Sequence, residues 1–268
     1  MIDTDDTAFR LPLRKLGEAK AMFAAVAPHR SLARAPFDTR NLATGVCIAF
    51  VLWALLLAAQ PLLIHQWTQY IGFWLKALGL PAGTIVGASQ AEPLHQLLAP
   101  LKSAIPSPEM LFGALAFGGA AWFAAGRLEG RLLPIKYLLR SLCVILLLSI
   151  LVLLVWPESF AYSLEQHAGD LMTNGYRCLL VFPFMLGVGY HLFDERLVVK
   201  LLYSLAIETY FIVMIPHKII LHIVALHFGT RLSMPLLYVC LGSAFDVLVF
   251  VALYAWALSN LPPQHHSM

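Results

Sequence analysis

Two carboxylates lie where a charge is hardest to keep. Glu208, in Ala206-Ile207-Glu208-Thr209-Tyr210, and Asp246, in Ser243-Ala244-Phe245-Asp246, each fall mid-way along a long apolar stretch. A charge at the centre of a membrane helix costs roughly 2.5–3.5 kcal/mol on insertion scales. Successive antiparallel helices are commonly neighbours, so the two acids are expected to meet at similar depth. Two carboxylates sharing a low-dielectric site cannot readily both ionise. Such a pair suits carrying a proton or holding a cation. The competing role is structural, with each acid hydrogen-bonded separately or paired with Arg140, Arg177 or His191 to fix helix packing.

A second constellation is enzymatic in type. Glu165, His167 and Asp170 fall in a polar segment expected as a loop at the membrane surface. His167 and Asp170, three apart, would sit one helical turn from each other as an oriented acid–base pair. His217, His222 and His227 are spaced by five, which turns successive rings by about 140° at ~100° per residue. They share no face, so no single-helix metal pair forms. Cys47, Cys143, Cys178 and Cys240 lie in or beside apolar stretches with no C-x-x-C pair, which reads as small apolar side chains. No G-x-S-x-G, H-E-x-x-H, Walker lysine or G-x-G-x-x-G occurs. ATP hydrolysis by this chain alone is therefore not expected, and neither metal nor cofactor is expected. A net charge of +3 gives no footprint for nucleic acid.

The elements that must position these residues are membrane helices. The chain is 60% hydrophobic and 12% charged, against about a quarter charged in an ordinary soluble domain. A hydrocarbon core of roughly 30 Å takes about 20 apolar residues to cross as a helix. Six stretches qualify, giving an all-α integral membrane protein. The spans are expected at Thr44–Ile64, Met110–Ala125, Leu138–Trp156, Arg177–Phe193, Val198–Pro216 and Pro235–Leu258. The bundle occupies residues 41–260, with a first outer loop over 65–108 and a tail over 261–268. Within that loop a short helix is expected over Gln66–Leu80, among Trp67, Tyr70, Phe73 and Trp74, and another over Pro93–Ala104. Pro216 is expected to break or kink the fifth span. In the second span Ala116, Ala120 and Ala124 form a small-xxx-small stripe, which implies a central helix or a contact with a partner or second copy.

Residues 1–40 read differently. Phe9, Leu13, Leu16, Phe23 and Val26 recur at helical spacing, with Arg10, Arg14, Lys15 and Lys20 on other faces. This is the pattern of an amphipathic helix lying in the interface against anionic headgroups, and no cleavable signal is expected there. With the N-terminus inside, thirteen lysines and arginines fall on inner segments and five on outer ones. The positive-inside rule then puts both termini in the cytoplasm of a bacterial-type inner membrane. An amphipathic helix followed by six spans resembles the permease subunits of type-2 ABC exporters, with the apolar segment 217–228 fitting that plan and the long first loop departing from it. The resemblance implies a transport component served by a separate ATPase. Two other functions fit the residues: a non-catalytic subunit of a larger membrane complex, and an enzyme acting on a lipid-linked substrate.

Overall fold

The computed structural model describes residues 39–83, 93–156, 163–190 and 196–259. Arg10, Arg14, Lys15 and Lys20 lie outside these, as do His191 and the tail. The described residues form helices and turns with no named strand. Among the described residues six helical segments are long and apolar enough to cross a membrane, so this is an all-α, multi-pass membrane protein.

Helix α1 runs over Thr39–Ala77, past Ile64 and through Pro61 without interruption. No separate helix follows in the aromatic belt, because the belt is the last third of α1. Near Pro61, which has no N–H to donate to the preceding turn, Tyr176 Oη donates to the Leu56 carbonyl at 3.1 Å. Gly79, at φ +70°, ends the helix, and the Leu80 N–H returns to the Leu75 carbonyl at 2.9 Å. That is the usual use of a left-handed glycine beyond a C-terminus. A short helix α2, Pro93–Leu98, is less than the Pro93–Ala104 expected. It buries Leu94, Leu97 and Leu98. The strand-like bridge between Ala104 and Thr230 then ties this loop to the bundle.

Helices α3 (Pro108–Gly126) and α4 (Leu133–Val155) form a hairpin around a 3-10 turn at Gly130–Leu132. Its small core is Leu111, Ile150 and Leu153, joined by Leu232. Helix α5 covers Leu164–Gly189. Much of the segment expected as a polar loop is thus its first half, started by a reciprocal capping box between Ser163 and Gln166. Helix α6 covers Leu197–Phe228 and is unbroken at Pro216. The carbonyl that Pro216 leaves without a donor belongs to Ile212, and Trp67 Nε1 supplies that donor at 2.9 Å. A satisfied carbonyl removes much of the reason to break. The sixth span is the one that is interrupted: α7 (Met234–Leu241) stops at Gly242 and α8 (Ser243–Ser259) begins.

The main core gathers side chains from α1, α2, α5, α6, α7 and α8. Helices α1 and α5 touch backbone to backbone, since a Cβ on Gly45 would lie 2.4 Å from the Gly187 carbonyl oxygen. The hairpin α3–α4 reaches the rest through α7 and the Arg231–Ser233 turn. It is not central, and Ala116, Ala120 and Ala124 all face outward.

Candidate functional site

Helix α6 supplies the frame. Ser204, Glu208, Phe211, Ile215, Lys218 and His222 follow one another at alternating steps of four and three, which keeps them on one helical face. All six are buried. That face looks into the bundle, and its neighbours divide it into two polar groups with aromatic rings between.

The first group surrounds the interruption at Gly242. Lys218 Nζ lies 2.5 Å from Asp246 Oδ2, and the two side chains are 1% and 2% exposed. Asp246 is in the first turn of α8, where the helix dipole also favours an anion. Its Oδ1 has no hydrogen-bond partner among the described residues. The interruption depends on glycine: a Cβ on Gly242 would sit 2.1 Å from the Tyr238 carbonyl oxygen. Cys178 of α5 lies beside the Ser243 side chain and feels both charges of the pair. One turn along α6 from Lys218, His222 Nδ1 lies 2.9 Å from His167 Nε2 of α5. Both rings are buried and stacked at 5.2 Å. One nitrogen of that contact must donate and the other accept, so the two rings cannot both be doubly protonated. The Leu241 carbonyl, last of α7, faces His222, and the Tyr238 ring lies 6.1 Å from His167.

The second group lies toward the start of α6. Tyr190 Oη and Ser204 Oγ both lie within hydrogen-bond distance of the Lys200 carbonyl, at 2.8 and 2.9 Å, and of one another. With one proton each, one hydroxyl donates to the carbonyl and the other donates either to that hydroxyl or to the same carbonyl. Lys200, itself buried, extends its Nζ to Asn41 Oδ1 at 2.9 Å. Glu208 completes the group, with neither carboxylate oxygen hydrogen-bonded among the described residues.

Between the groups is a layer of rings. Phe182 of α5 packs on Phe211 of α6 at 4.4 Å between centroids and on Phe250 of α8 at 4.6 Å. The register repeats on all three helices. Cys178, Phe182 and Tyr190 follow in order on α5, Lys218, Phe211 and Glu208 on α6, and Asp246, Phe250 and Tyr254 on α8.

The expected carboxylate pair is therefore corrected. Asp246 pairs with Lys218, which lies ten residues from Glu208, or about 15 Å of helix rise. Lys218 is one of the five basic residues that the sequence assigns to outer segments, and the fold instead buries it in the bundle. The four-three spacing linking it to Ser204 and Glu208 was the available signal. Arg140 and Arg177 are not the partners of either acid: Arg140 stacks over the Trp122 ring at 5.0 Å, and Arg177 reaches Asn174 at 3.4 Å. His167 and Asp170 keep the expected one-turn spacing and Asp170 acts electrostatically on His167, with the imidazole buried against His222 and the carboxylate at the exposed surface. At the same end Glu165 instead meets His95 of α2 at 3.3 Å. His217, on another face, bonds Tyr70 Oη through Nε2 and the Val213 carbonyl through Nδ1, each at 2.7 Å. Among the described residues no three His, Cys, Asp or Glu side chains converge to hold a metal ion. No family model, curated protein or solved structure matches the chain.

Proposed function

We propose that this protein is a transport or translocation component of a bacterial-type inner membrane, with both termini cytoplasmic, in which the group around Gly242 handles a proton. The observation that carries this reading is the Lys218–Asp246 pair, buried beside an interrupted spanning helix. Intramembrane ionisable residues are kept mainly along ion and proton pathways. Interrupted helices are the common device for building substrate and ion sites near mid-membrane, because the break leaves backbone polar groups free to bind. His222 and His167 extend the polar track from Lys218 toward the Ser163 end, which the distribution of basic residues assigns to the outside. Protonation of Asp246 would release Lys218, and the histidine pair offers the next acceptor. Acting as the permease of a multi-subunit exporter, with a separate ATPase, is the form of this function that the six-span plan favours.

The test is proton flux in proteoliposomes loaded with a pH-sensitive dye, driven by a potassium gradient and valinomycin. Flux above protein-free vesicles is expected for the natural chain. Asp246→Asn should abolish it, because the amide cannot take up or release a proton at accessible pH, and His222→Gln should slow it. Natural protein indistinguishable from empty vesicles, or an Asp246→Asn variant as fast as the natural one, would remove this reading. A second reading, a non-catalytic subunit of a larger complex, is favoured by the outward-facing Ala116, Ala120 and Ala124. A stoichiometric partner without ATPase character, co-purifying in mild detergent, would promote it.

A further inference from the structure

Asp246 and Glu208 are both buried acids, yet only one is compensated. Asp246 has Lys218 at 2.5 Å and the N-terminus of α8. Glu208 is 4% exposed, and neither oxygen has a hydrogen-bond partner among the described residues. The groups around it are neutral or turned away. Tyr190, at the end of α5, faces it, and Tyr254 of α8 faces Tyr190 in turn. On its own helix Ser204 is one turn away and engaged with Tyr190 and the Lys200 carbonyl. Lys200 is two turns away, about 12 Å of rise, with its Nζ toward Asn41 of α1. The Lys218–Asp246 charges lie beyond the Phe182, Phe211 and Phe250 rings. An ionised carboxylate left without donor or cation in such surroundings would carry a desolvation penalty far larger than that of the neutral acid.

We propose that Glu208 is a proton-binding site, a neutral carboxylic acid at rest, on the Tyr190 side of the aromatic layer and separate from the Lys218–Asp246 pair. The site stands whether or not the chain moves a solute, and its ligand is a proton. It has a chemical signature. A neutral carboxyl in an apolar interior adds across one C=N bond of a lipid-soluble carbodiimide. The carboxyl oxygen bonds to the central carbon and the proton goes to nitrogen. With no nucleophile or water to intercept it, the O-acylisourea rearranges by acyl transfer to nitrogen into a stable N-acylurea. Nothing leaves, so the adduct retains the whole reagent mass.

Two measurements on the full-length protein in detergent test this. The first is infrared spectroscopy at neutral pH, where a protonated carboxyl shows a C=O stretch above the amide I band. The natural protein should show this band and Glu208→Gln should lack it, while Asp246→Asn retains it. The second is labelling with dicyclohexylcarbodiimide, followed by peptide mass spectrometry. Glu208 should take one reagent, with Asp246 unlabelled, and a water-soluble carbodiimide should label exposed acids such as Glu129 but not Glu208. Absence of the infrared band from natural protein, or its persistence in Glu208→Gln, would overturn the proposal. So would equal labelling of Glu208 by the water-soluble reagent, which would mean an open carboxylate. Suppression of labelling by sodium but not potassium would also overturn it, replacing the proton by a metal cation.

Discussion

Helices α3 and α5 have the same mean hydropathy, 1.3, over their most apolar windows, yet 11% of one window is buried and 44% of the other. The equality arises in different ways. Helix α3 dilutes large apolar side chains with alanine and glycine, and exposes Phe112, Phe117 and Phe123. Helix α5 mixes strongly apolar residues with Thr173, Asn174, Tyr176 and Arg177 in that window, and sets the buried ones along one face. Average apolarity reports which solvent surrounds a helix. The angular placement of its few polar and small residues reports which neighbours it has. In lipid there is no hydrophobic drive toward a common centre, so a helix reaches the interior only through close packing or polar bonds, and α5 has both.

The largest expected effect comes from opening the polar interior that α3 lacks. Lys218→Met leaves Asp246 buried without its cation, and breaking such a pair from one side costs about 3–5 kcal/mol. Replacing both residues, as in Lys218→Met with Asp246→Leu, should recover much of that loss, since an apolar pair of similar volume is often neutral. Thermal unfolding in detergent with a tag-independent readout checks the order: single variant lowest, double variant intermediate or near natural. A single variant as stable as the natural protein would mean that the pair contributes nothing to holding α6 on α8.

Next come the small residues, which set the two regions most directly against each other. Gly45 and Gly187 are where α1 and α5 meet, and a Cβ on Gly45 has 2.4 Å to a carbonyl oxygen. Gly45→Leu should therefore destabilise by about 1–3 kcal/mol through forced backbone movement. Gly119 on α3 has nothing within 4 Å, so Gly119→Ala should be neutral or gain up to about 0.5–1 kcal/mol from helix propensity. The same melting experiment reads both, and equal effects at the two sites would erase the distinction drawn between the helices.

This contrast also shows how far the sequence could be read. Six spanning stretches were legible because each is a local property of about 20 residues. The small-residue stripe of α3 was legible too, but its role was not: Ala116, Ala120 and Ala124 look the same in sequence whether they meet a helix or lipid. The actual close approach, Gly45 with Gly187, joins residues far apart in the chain, and neither sits in an obvious stripe. Proline misled in a similar way. Pro216 signals an orphaned carbonyl, and only the tertiary structure reveals that Trp67 satisfies it. Gly242, a single glycine in an apolar run, gave no comparable signal and yet marks the interruption. At the candidate site the two acids were visible as charges, but their partners were not. Pairing them by depth ignored Lys218, whose spacing along α6 placed it on the same face all along.

Trp67→Phe is the next smaller perturbation. It keeps an aromatic ring against α6 but removes the indole N–H, leaving the Ile212 carbonyl without a donor one turn before Pro216. An unsatisfied buried carbonyl costs about 1–2 kcal/mol. The same variant in a Pro216→Ala background, where the alanine N–H is available to bond Ile212, should lose less. Such non-additivity is the mark of two groups serving one acceptor, and strict additivity in a double-mutant cycle would show that Trp67 acts through packing alone.

The smallest effect is expected where α3 shows its stripe to the outside. Ala116→Leu, Ala120→Leu and Ala124→Leu combined should change the unfolding of the isolated chain by no more than about 0.5 kcal/mol, because surface substitutions away from packed or polar features are near neutral. The added side chains would meet lipid or detergent, as the neighbouring Phe117 and Phe123 do. A self-associated form held through this face would respond differently. Leucine at three positions one turn apart would prevent close backbone approach, and native mass spectrometry would record loss of a dimer while the melting of the monomer stayed unchanged. A large fall in monomer stability would instead place this face inside the fold. That outcome would undo the contrast between an interior built on polar bonds and close glycines and a hairpin whose Ala116, Ala120 and Ala124 look outward.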